Sequence, residues 1–513
     1  MKKIIVLAIG AIICFSSCDD FLNINPRTQV SEEEFYKTEE EVMMGLYALM
    51  NEVQNGLMEV HGYTTYLSDE AETGGGLGEG VYKFKYDNFT YDPTTSPPWW
   101  NEWSYGIYNG VTTSNILVDK VNKSGLSDAF VKSIDAEARF YRALFYCYLF
   151  MGYEQFPLFK EPIPTSEIYN VTKSTREEIF EFMMSDLDNG VIQYLPDKAS
   201  TQRGRINKDA ARVLKAKLIL FHRAESKYSE ALELLREIIN SGRYSLASDY
   251  TKIWLKEGEY GPESIYEVAF AGNNSGEGNP LGRSLGGRAI NDPRSAEQGG
   301  LYEGYGQSTI PLTMWNMFKP GDTRREGTII NYKDEIQKVR DMVNAGILQQ
   351  GDTFIVSEKQ EDFVWLGHYK YHPRKEHTSQ PSPLNNFDIS FKFYRYSDVL
   401  LLATELQARI SGSVNAEAQG WFNQVRDRAF QNQNNRIDLT SKNVTEILNI
   451  IFEERGFEFM HEMQRWFDIM RFDKGTEILG SKGWTERYRY FPIAQKEMDK
   501  SQGSLTQNPG WLN

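Results

Sequence analysis

Apolar residues recur with helical spacing over two long parts of the chain, at about 31–242 and at about 389–475. Their periodicity predicts that the protein is mainly α. The last predicted helix is apolar on several faces, which is typical of a buried, central helix. The predicted helices cover residues about 39–54, 101–121, 128–152, 175–194, 207–224, 228–241, 394–411, 416–430 and 443–471.

Two consecutive predicted helices have the spacing of a tetratricopeptide (TPR) pair. The second of them contains Tyr228-x-x-Ala231-x-x-x-Leu235, in which the small Ala231 permits close contact between helices. The segment from Ala210 to Phe221 precedes it and would be its partner. The unit is imperfect, so we expect a TPR-like helix pair and not a regular array.

The helical periodicity is interrupted at about 55–100 and again at about 243–388. Within the second interruption, Ser264 to Phe270 alternates like a strand, and 354–356 and 363–365 have the composition of short strands. The stretch from Gly272 to Gly306 is rich in Gly, Asn and Ser, which favours loops. Loops of this length within a compact body are usually functional, so we expect a ligand to bind there.

The N-terminus has the organisation of a bacterial secretion leader. Two lysines form a short basic start, an apolar run too short to span a bilayer follows, and two serines precede Cys18. This order is typical of a lipoprotein signal, which is cut before the cysteine whose thiol is then acylated. An ordinary signal peptide that contains cysteines is the alternative. We predict a signal peptide at 1–17, a lipidated tether at 18–30 and a single body at 31–513.

Charge and cysteine content restrict the function further. The formal net charge of −15 argues against binding to nucleic acid, because an acidic surface repels phosphate groups, whereas neutral or cationic ligands remain allowed. Cys147 is the one cysteine outside the leader and the proposed acylation site, so no disulfide can form within the mature chain. We expect Cys147 to be a small buried hydrophobic residue.

The charged motif His461-Glu462-x-x-Arg465 lies on the last predicted helix. A zinc protease needs a second histidine where this chain has Arg465, because two imidazoles one turn apart face the same metal ion. The motif therefore favours a buried or half-buried ion network. The expected members of this network are Glu453, Glu454, Arg455, Glu458, Glu462 and Arg465.

The residues around the other candidate motifs argue against a metal site, a phosphate-binding loop and a hydrolase nucleophile. His368 and His372 lie near Pro373 in a predicted strand or loop, where residues four apart are separated by about 13 Å. The glycine clusters at 74–80 and 276–287 lack the Lys-Ser/Thr of a phosphate loop, and the chain has no Gly-x-Ser-x-Gly motif. We therefore expect no metal ion, no cofactor and no catalytic residues.

Two groups of aromatic residues lie in or beside the predicted loop regions. Their flat rings can pack against the C–H groups of a sugar, while neighbouring amides and acids bind its hydroxyls, which suits a neutral glycan. Packing between loop and helix is the alternative, and we favour it for Trp103 and Tyr108. The predicted ligand-binding residues are Trp99, Trp100 and Asn101 in the first group and Tyr302, Tyr305 and Trp315 in the second.

Several motifs, distributed in order over nearly the whole chain, resemble the SusD/RagB family of outer-membrane nutrient-binding lipoproteins from Bacteroidetes. None of these motifs is specific for the family by itself, but the order in which they occur along the chain is specific. They are Cys18-Asp19-Asp20-Phe21-Leu22, Glu137-Ala138-Arg139-Phe140-Tyr141-Arg142-Ala143, Phe156-Pro157-Leu158-Phe159, Ile238-x-x-Ser241-Gly242-x-Tyr244, Gly321-Asp322-x-Arg324-Arg325, Tyr394-Arg395-Tyr396-Ser397-Asp398-Val399-Leu400-Leu401, Asn423-x-Val425-Arg426-x-Arg428-Ala429, Glu453-Glu454-Arg455, Arg465-Trp466-Phe467-Asp468 and Gln507-Asn508-Pro509-Gly510.

The resemblance implies a TPR-like helical scaffold with a loop-rich ligand region. It also implies a non-enzymatic lipoprotein on the cell surface, which captures glycan and passes it to a SusC-like TonB-dependent transporter in the outer membrane. The matching motifs are mostly scaffold motifs, so the resemblance transfers neither a ligand nor a binding site. A structural adaptor of the transporter without glycan affinity, a peptide-binding member of the family and a surface-anchored glycoside hydrolase are the alternatives.

Overall fold

The computed structural model describes residues 35–74, 81–95, 98–167, 170–273, 276–356, 365–378 and 386–511. The signal peptide at 1–17, the lipidation site Cys18 and the tether at 18–30 lie outside these residues. The described helices are α1 (Glu39–Glu52), α2 (Met58–Tyr66), α3 (Val81–Asp87), α4 (Pro98–Lys123), α5 (Asp128–Tyr153), α6 (Arg176–Asp186), α7 (Asn189–Ile192), α8 (Lys208–His222), α9 (Tyr228–Asn240), α10 (Pro280–Leu285), α11 (Leu312–Met317), α12 (Tyr332–Asn344), α13 (Tyr396–Ser411), α14 (Ala416–Phe430), α15 (Val444–Phe459), α16 (Arg465–Arg471), α17 (Gly475–Leu479) and α18 (Gln495–Lys500).

Strands are short and form two-stranded antiparallel pairs. β2 pairs with β6, and their register places Ser264 opposite Arg395 and Val268 opposite Phe391. The strand predicted from Ser264 is therefore confirmed, although it ends two residues earlier. The six described strands are β1 (Glu72–Thr73), β2 (Ser264–Val268), β3 (Ser308–Thr309), β4 (Ile329–Asn331), β5 (Leu366–His368) and β6 (Phe391–Arg395), paired as β1–β3, β2–β6 and β4–β5.

The scaffold is built from neighbouring helices that pack against each other, chiefly α4 on α5, α8 on α9, and α13 on α9, α14 and α15. The mainly α fold class and the TPR-like pair are confirmed, because α8 and α9 contact each other with Ala231 and Leu235 fully buried. Close packing also depends on Gly110, where a Cβ atom would lie 2.2 Å from the ring of Phe145. None of the helices in the described ranges is long and apolar enough to cross a bilayer.

The helices begin where the sequence supplies caps. Thr38 accepts a hydrogen bond from the backbone N–H of Glu41, whose carboxylate accepts one from the N–H of Thr38 in return. Thr175 and Glu178 form the same capping box at the start of α6, as do Asn443 and Glu446 at the start of α15. Capping signals of this kind are local, which explains why most helix starts can be predicted from the chain.

Several predicted boundaries are wrong. Trp99 and Trp100 were expected in a loop, but α4 begins at Pro98, whose fixed φ suits the first turn of a helix. The predicted loop at about 55–100 also contains α2 and α3. The loop region at about 243–388 contains the amphipathic helix α12, which starts at the Asn331 cap.

The predicted helix at about 443–471 is in fact two helices, α15 and α16. His461 and Met463 between them have positive φ values of 62° and 61°, a conformation that interrupts a right-handed helix. Tertiary contacts stabilise this break, since the N–H of His461 donates to the carboxylate of Glu70 at 3.1 Å. Local periodicity carries no sign of a partner almost 400 positions away in the chain.

The predicted ion network around α15 is confirmed, and most of it is fully buried. Glu458 contacts three guanidinium groups, those of Arg428 at 2.5 Å, Arg395 at 2.9 Å and Arg324 at 3.4 Å. Burial alone would raise the pKa of Glu458, but these three arginines hold it well below its usual range. Glu453 is the exception among the expected members, because it is exposed.

The rest of the network joins the other charged motifs. Glu454 binds Arg324 and Arg426, while Arg455 binds Asp398 at 2.7 Å and Asp468 at 2.8 Å. Further pairs are Glu462 with Lys370 and Arg395, Arg465 with Asp69, Arg324 with Asp322, and Glu263 with Arg395 and Arg428. Charged residues from motifs distributed between 321 and 468 thus pair in adjacent buried groups around α15, and we call these pairs together the charge cluster.

Cys147 is also placed as expected. It lies in the buried half of α5 and is 3% exposed. Burial raises the pKa of its thiol to about 12, so the reactive thiolate is disfavoured at neutral pH. The side chain therefore serves the core as a small hydrophobic group.

Candidate functional site

The second group of predicted ligand residues lies largely on one loop, residues 300–309, which we call the tyrosine loop. Its beginning is fixed to the segment around Pro373, because the N–H of Tyr302 donates to the Pro373 carbonyl at 2.9 Å and Leu301 bridges to Arg374. Its end is β3, which pairs with β1 so that Ser308 lies opposite Thr73. Both ends of the loop are therefore held by backbone hydrogen bonds.

Helix α10 holds the middle of the tyrosine loop. The N–H of Tyr305 donates to the carbonyl of Arg283 at 2.7 Å, and the carbonyl of Tyr305 accepts from Nε and Nη2 of Arg288 at 3.0 and 2.8 Å. Glycine is required at Gly304, where a Cβ atom would lie 2.6 Å from the carbonyl oxygen of Gly286. The backbone at Tyr305 is thus fixed by contacts that do not involve its ring.

The rings of Tyr302 and Tyr305 are both half-buried. The ring of Tyr302 packs on Phe387 with a centroid distance of 6.1 Å, and the guanidinium carbon of Arg283 lies 5.6 Å from the ring centroid of Tyr305. Each ring is therefore supported on one side and accessible to solvent over part of its surface. A rigid, partly exposed aromatic ring loses little conformational entropy when a ligand packs on it.

Trp315 lies on α11, six positions after the end of β3, and is half-buried. The guanidinium carbon of Arg325 lies 4.5 Å from its ring centroid, so a cation already packs on the indole. Its other contacts are with a small apolar cluster that includes Met314 and Phe318. The role of Trp315 in ligand binding stays a prediction.

The first predicted group, Trp99, Trp100 and Asn101, occupies the first turn of α4, and its side chains lie outside the described part of the structure. The side chain of Trp103 does so too. Tyr108, for which we expected packing, is half-buried, stacks edge-on against Phe159 and donates from its hydroxyl to the carbonyl of Pro157 at 2.9 Å. The packing prediction is confirmed for Tyr108.

Helix α3 connects the two groups. The ammonium group of Lys83 donates to the side-chain carbonyl of Gln307 in the tyrosine loop, and that of Lys85 donates to the hydroxyl of Thr95 at 3.4 Å. Trp99 follows Thr95 by four positions, so the two residues are at most about 14 Å apart along an extended chain. Helix α3 therefore contacts both the tyrosine loop and Thr95, the residue that precedes α4 by three positions.

The residues that fix the tyrosine loop were missed in the sequence. Lys83, Arg283, Arg288 and Gln307 belong to no local motif. Lys83 and Gln307 are 224 positions apart, and β1 and β3 are two residues long. The one local signal was the glycine content of 272–306, which predicted a loop but not the close backbone approach at Gly304.

Buried histidines lie directly below the tyrosine loop. Nε2 of His368 is 2.9 Å from the hydroxyl of Ser308, and the rings of His368 and His461 are 4.2 Å apart. Nε2 of His61 is 2.8 Å from the carbonyl oxygen of His461, so it carries the proton and donates. Within the described residues, no group of three His, Cys, Asp or Glu side chains is placed to hold a metal ion.

These histidines predict a loss of stability in acid. Burial lowers the pKa of His61 to about 4 and the pKa values of His368 and His372 to about 3. Between pH 6.5 and 4 the unfolded chain therefore binds protons that the folded protein does not. The free energy of unfolding falls with falling pH, by up to about 1.4 kcal/mol per pH unit and histidine. Burial raises the pKa of Glu70 to about 8 and also raises the pKa values of Glu52, Glu137 and Asp186, and these carboxyl groups act in the opposite direction.

Replacing His61 by glutamine, which keeps a side-chain N–H donor, tests whether the free energy of unfolding falls with falling pH because of this histidine. The decrease in the free energy of unfolding between pH 7 and pH 5 should be smaller than in the wild type by about 2 kcal/mol. Urea denaturation at the two pH values measures this difference. An unchanged decrease in the variant would show that the His61 ring is not held neutral in the folded protein.

Comparisons with known proteins agree with this architecture. One family model, the SusD family, matches residues 262–511, and another, described as starch-binding associating with outer membrane, matches residues 20–220. SusD-like protein P25 of Formosa agariphila is 23% identical over 511 residues, with 92% of this chain and 90% of the relative covered.

Solved structures superpose over nearly the whole length. A laminarin binding SusD-like protein has a TM-score of 0.77 and 25% identity, and the match covers 93% of this chain and 100% of that protein. Surface glycan-binding protein A from Bacteroides thetaiotaomicron has the same TM-score of 0.77, the same identity of 25% and the same coverage, 93% of this chain and 100% of that protein. Two family models that together match most of the chain, a full-length relative and these structures confirm the expected family: the chain belongs to the SusD/RagB family.

Proposed function

We propose that this protein is a glycan-binding lipoprotein of the cell surface, which captures an oligo- or polysaccharide and delivers it to a SusC-like TonB-dependent transporter in the outer membrane. The observation that carries the proposal is the tyrosine loop. Its backbone is held at both ends and in the middle, and it presents two partly exposed tyrosines. The laminarin-binding neighbour supports the same ligand class.

The physical basis is aromatic stacking without catalysis. A sugar ring presents a face of C–H groups that packs on an aromatic ring, and its hydroxyls bind amides such as Asn101 and Gln307. The proposed site includes no residue in a catalytic role, so the glycan leaves unchanged. We place the ligand on Trp99, Trp100, Asn101, Tyr302, Tyr305 and Trp315.

Titration calorimetry of the purified body, residues 31–513, against a panel of ligands tests the proposal. The panel contains laminarin, starch, other neutral polysaccharides and a mixture of short peptides. We expect saturable binding to at least one glycan and no reducing ends released on prolonged incubation. Binding to peptides alone would favour the peptide-binding alternative. No binding to any ligand, together with a stable complex with the transporter, would favour the structural adaptor.

Anchoring to the membrane depends on Cys18 in this proposal. Replacing Cys18 by alanine removes the acylation site, and the net charge of −15 disfavours adhesion of the body to anionic lipid. We expect the variant to move from the membrane fraction to the soluble fraction while its affinity for the glycan is unchanged. Cell fractionation followed by immunoblotting measures this, and a variant that stays with the membrane would contradict lipid anchoring at Cys18.

A further inference from the structure

A cavity of about 240 Å³ lies on the helical scaffold, at the C-terminal ends of α5, α8 and α16. It contains none of the residues assigned to the glycan. Its polar lining consists of four arginines, two acidic residues and one tyrosine hydroxyl, and the remainder is apolar. The charged lining residues are Arg176, Arg223, Arg471, Arg489, Glu154 and Asp473.

The charge of this cavity is the reverse of the charge of the protein. Four arginines and two acidic residues give the lining a net charge of about +2, whereas the whole chain carries −15. Three further carboxylates outside the lining pair with these arginines, those of Glu405 and Asp468 with Arg471 and that of Glu486 with Arg489. The excess of cations is therefore confined to the surface that a ligand would contact.

Three of these arginines donate hydrogen bonds to backbone carbonyl groups at the C-terminal ends of helices. Nη2 of Arg176 donates to the carbonyl of His222 at 3.0 Å, Nη2 of Arg223 donates to that of Arg471 at 3.2 Å, and Nη1 of Arg489 donates to that of Met470 at 3.2 Å. Arginines at helix C-termini are favourable for this reason. Ion pairs occupy further N–H groups, since Arg176 pairs with Glu154, Arg223 with Asp473, and Arg489 with Asp473 and Glu486.

Arg471 has one N–H-bearing nitrogen that the protein leaves without a partner, although two carboxylates balance its charge. Its side chain is 7% exposed, its Nε binds Asp468 at 2.7 Å and its Nη1 binds Glu405. Its Nη2 is buried and has no hydrogen-bond partner. An unsatisfied buried N–H group of a cation costs free energy unless a ligand satisfies it.

We propose that this cavity, the arginine pocket, binds a small organic oxyanion, namely a sugar unit that carries a carboxylate or a sulfate group. Planar guanidinium groups bind both groups in a bidentate manner. Apolar side chains, including Phe150, Phe221 and Met470, complete the lining and offer a surface for a sugar ring. The volume is below the range of about 300–1,000 Å³ that is usual for drug-sized ligands, which restricts the ligand to about one sugar unit.

Calorimetric titration with glucuronate and with glucose 6-sulfate, at constant ionic strength, tests the pocket, and glucose is the neutral control ligand. We expect saturable binding of at least one of the two anions at low millimolar concentration or below, and none of glucose. The double variant Arg223→Gln/Arg489→Gln removes two cations whose shared partner, Asp473, is half-exposed, so it should fold. It should weaken the binding of the anion at least about tenfold.

Arg236→Gln is the matched control, because its side chain is 24% exposed against 23% for Arg489 and it also forms surface ion pairs. It should leave the affinity for the anion unchanged. Absence of saturable anion binding in the wild type would overturn the proposal, as would equal binding of glucose or an equal loss in both variants. These outcomes do not depend on the glycan site, since the double variant should bind neutral glycan like the wild type.

Discussion

Replacing Glu458 by alanine is expected to lower the free energy of unfolding by about 3–5 kcal/mol, a large part of the stability of an ordinary domain. Glu458 is fully buried and is shared by Arg324, Arg395 and Arg428. Its removal leaves three buried guanidinium groups with one carboxylate fewer. Leaving a buried charge without its partner costs more free energy than the intact pair contributes to stability. Guanidinium chloride denaturation followed by circular dichroism measures the loss.

Glu453 provides the matched control on the same helix. It is an exposed glutamate five positions earlier on α15, so Glu453→Ala should change the free energy of unfolding by less than about 0.5 kcal/mol. Similar effects of the two substitutions would contradict the central place of the charge cluster in stability. A fall in the slope of the denaturation curve for Glu458→Ala would indicate instead that the native state has loosened.

The charge cluster also explains how the loop-rich region is attached to the scaffold. Asp322 and Arg324 come from the loop-rich region, and Arg324 reaches Glu454 and Glu458 on α15. The charged motifs between 321 and 468 that carry the family resemblance are therefore gathered around α15, whereas Glu137 and Arg142 pair elsewhere, with Arg205 and Asp186. They specify the fold and not the ligand, which is why family membership follows from them and a sugar identity does not.

Helices and their pairing could be predicted because their signals are local. The period of apolar residues and the caps at Thr38, Thr175 and Asn443 lie within a few positions of the elements they define. The TPR-like contact of α8 and α9 follows from the small side chain of Ala231. The ion network could be predicted because so many charges on an otherwise apolar helix must be paired when they are buried.

The candidate site could be predicted only in part. The positions of Tyr302 and Tyr305 on a loop followed from composition, but their support did not. That support comes from Pro373, Arg283 and the β1–β3 pair, which joins residues about 235 positions apart. The break at His461 was missed for the same reason, since it depends on Glu70. Long-range pairing of this kind leaves no periodic trace in a single sequence.

The second large effect is expected at the first turn of α4. Replacing both Trp99 and Trp100 by alanine should weaken the binding of the cognate glycan at least about thirtyfold, because removing an aromatic residue at the centre of a binding site costs about 2 kcal/mol or more. The helix should persist, since alanine is the best helix former and Pro98 still begins it. Thermal unfolding of the variant establishes that it is folded.

Tyr194→Ala is the matched control for the loss of an aromatic ring. Tyr194 is 41% exposed and follows α7, outside the loop-rich region. Its removal should leave the affinity for the glycan within about twofold of the wild type, because no glycan contact is assigned to it. A large loss in this variant would indicate that the glycan lies on the scaffold.

The most direct test of glycan capture is the calorimetric titration of the wild type and the Trp99→Ala/Trp100→Ala variant with the glycan that the panel identifies. We predict saturable binding by the wild type and a loss of at least about thirtyfold in the folded variant. Equal affinities of the two proteins would contradict the assignment of the ligand to Trp99 and Trp100.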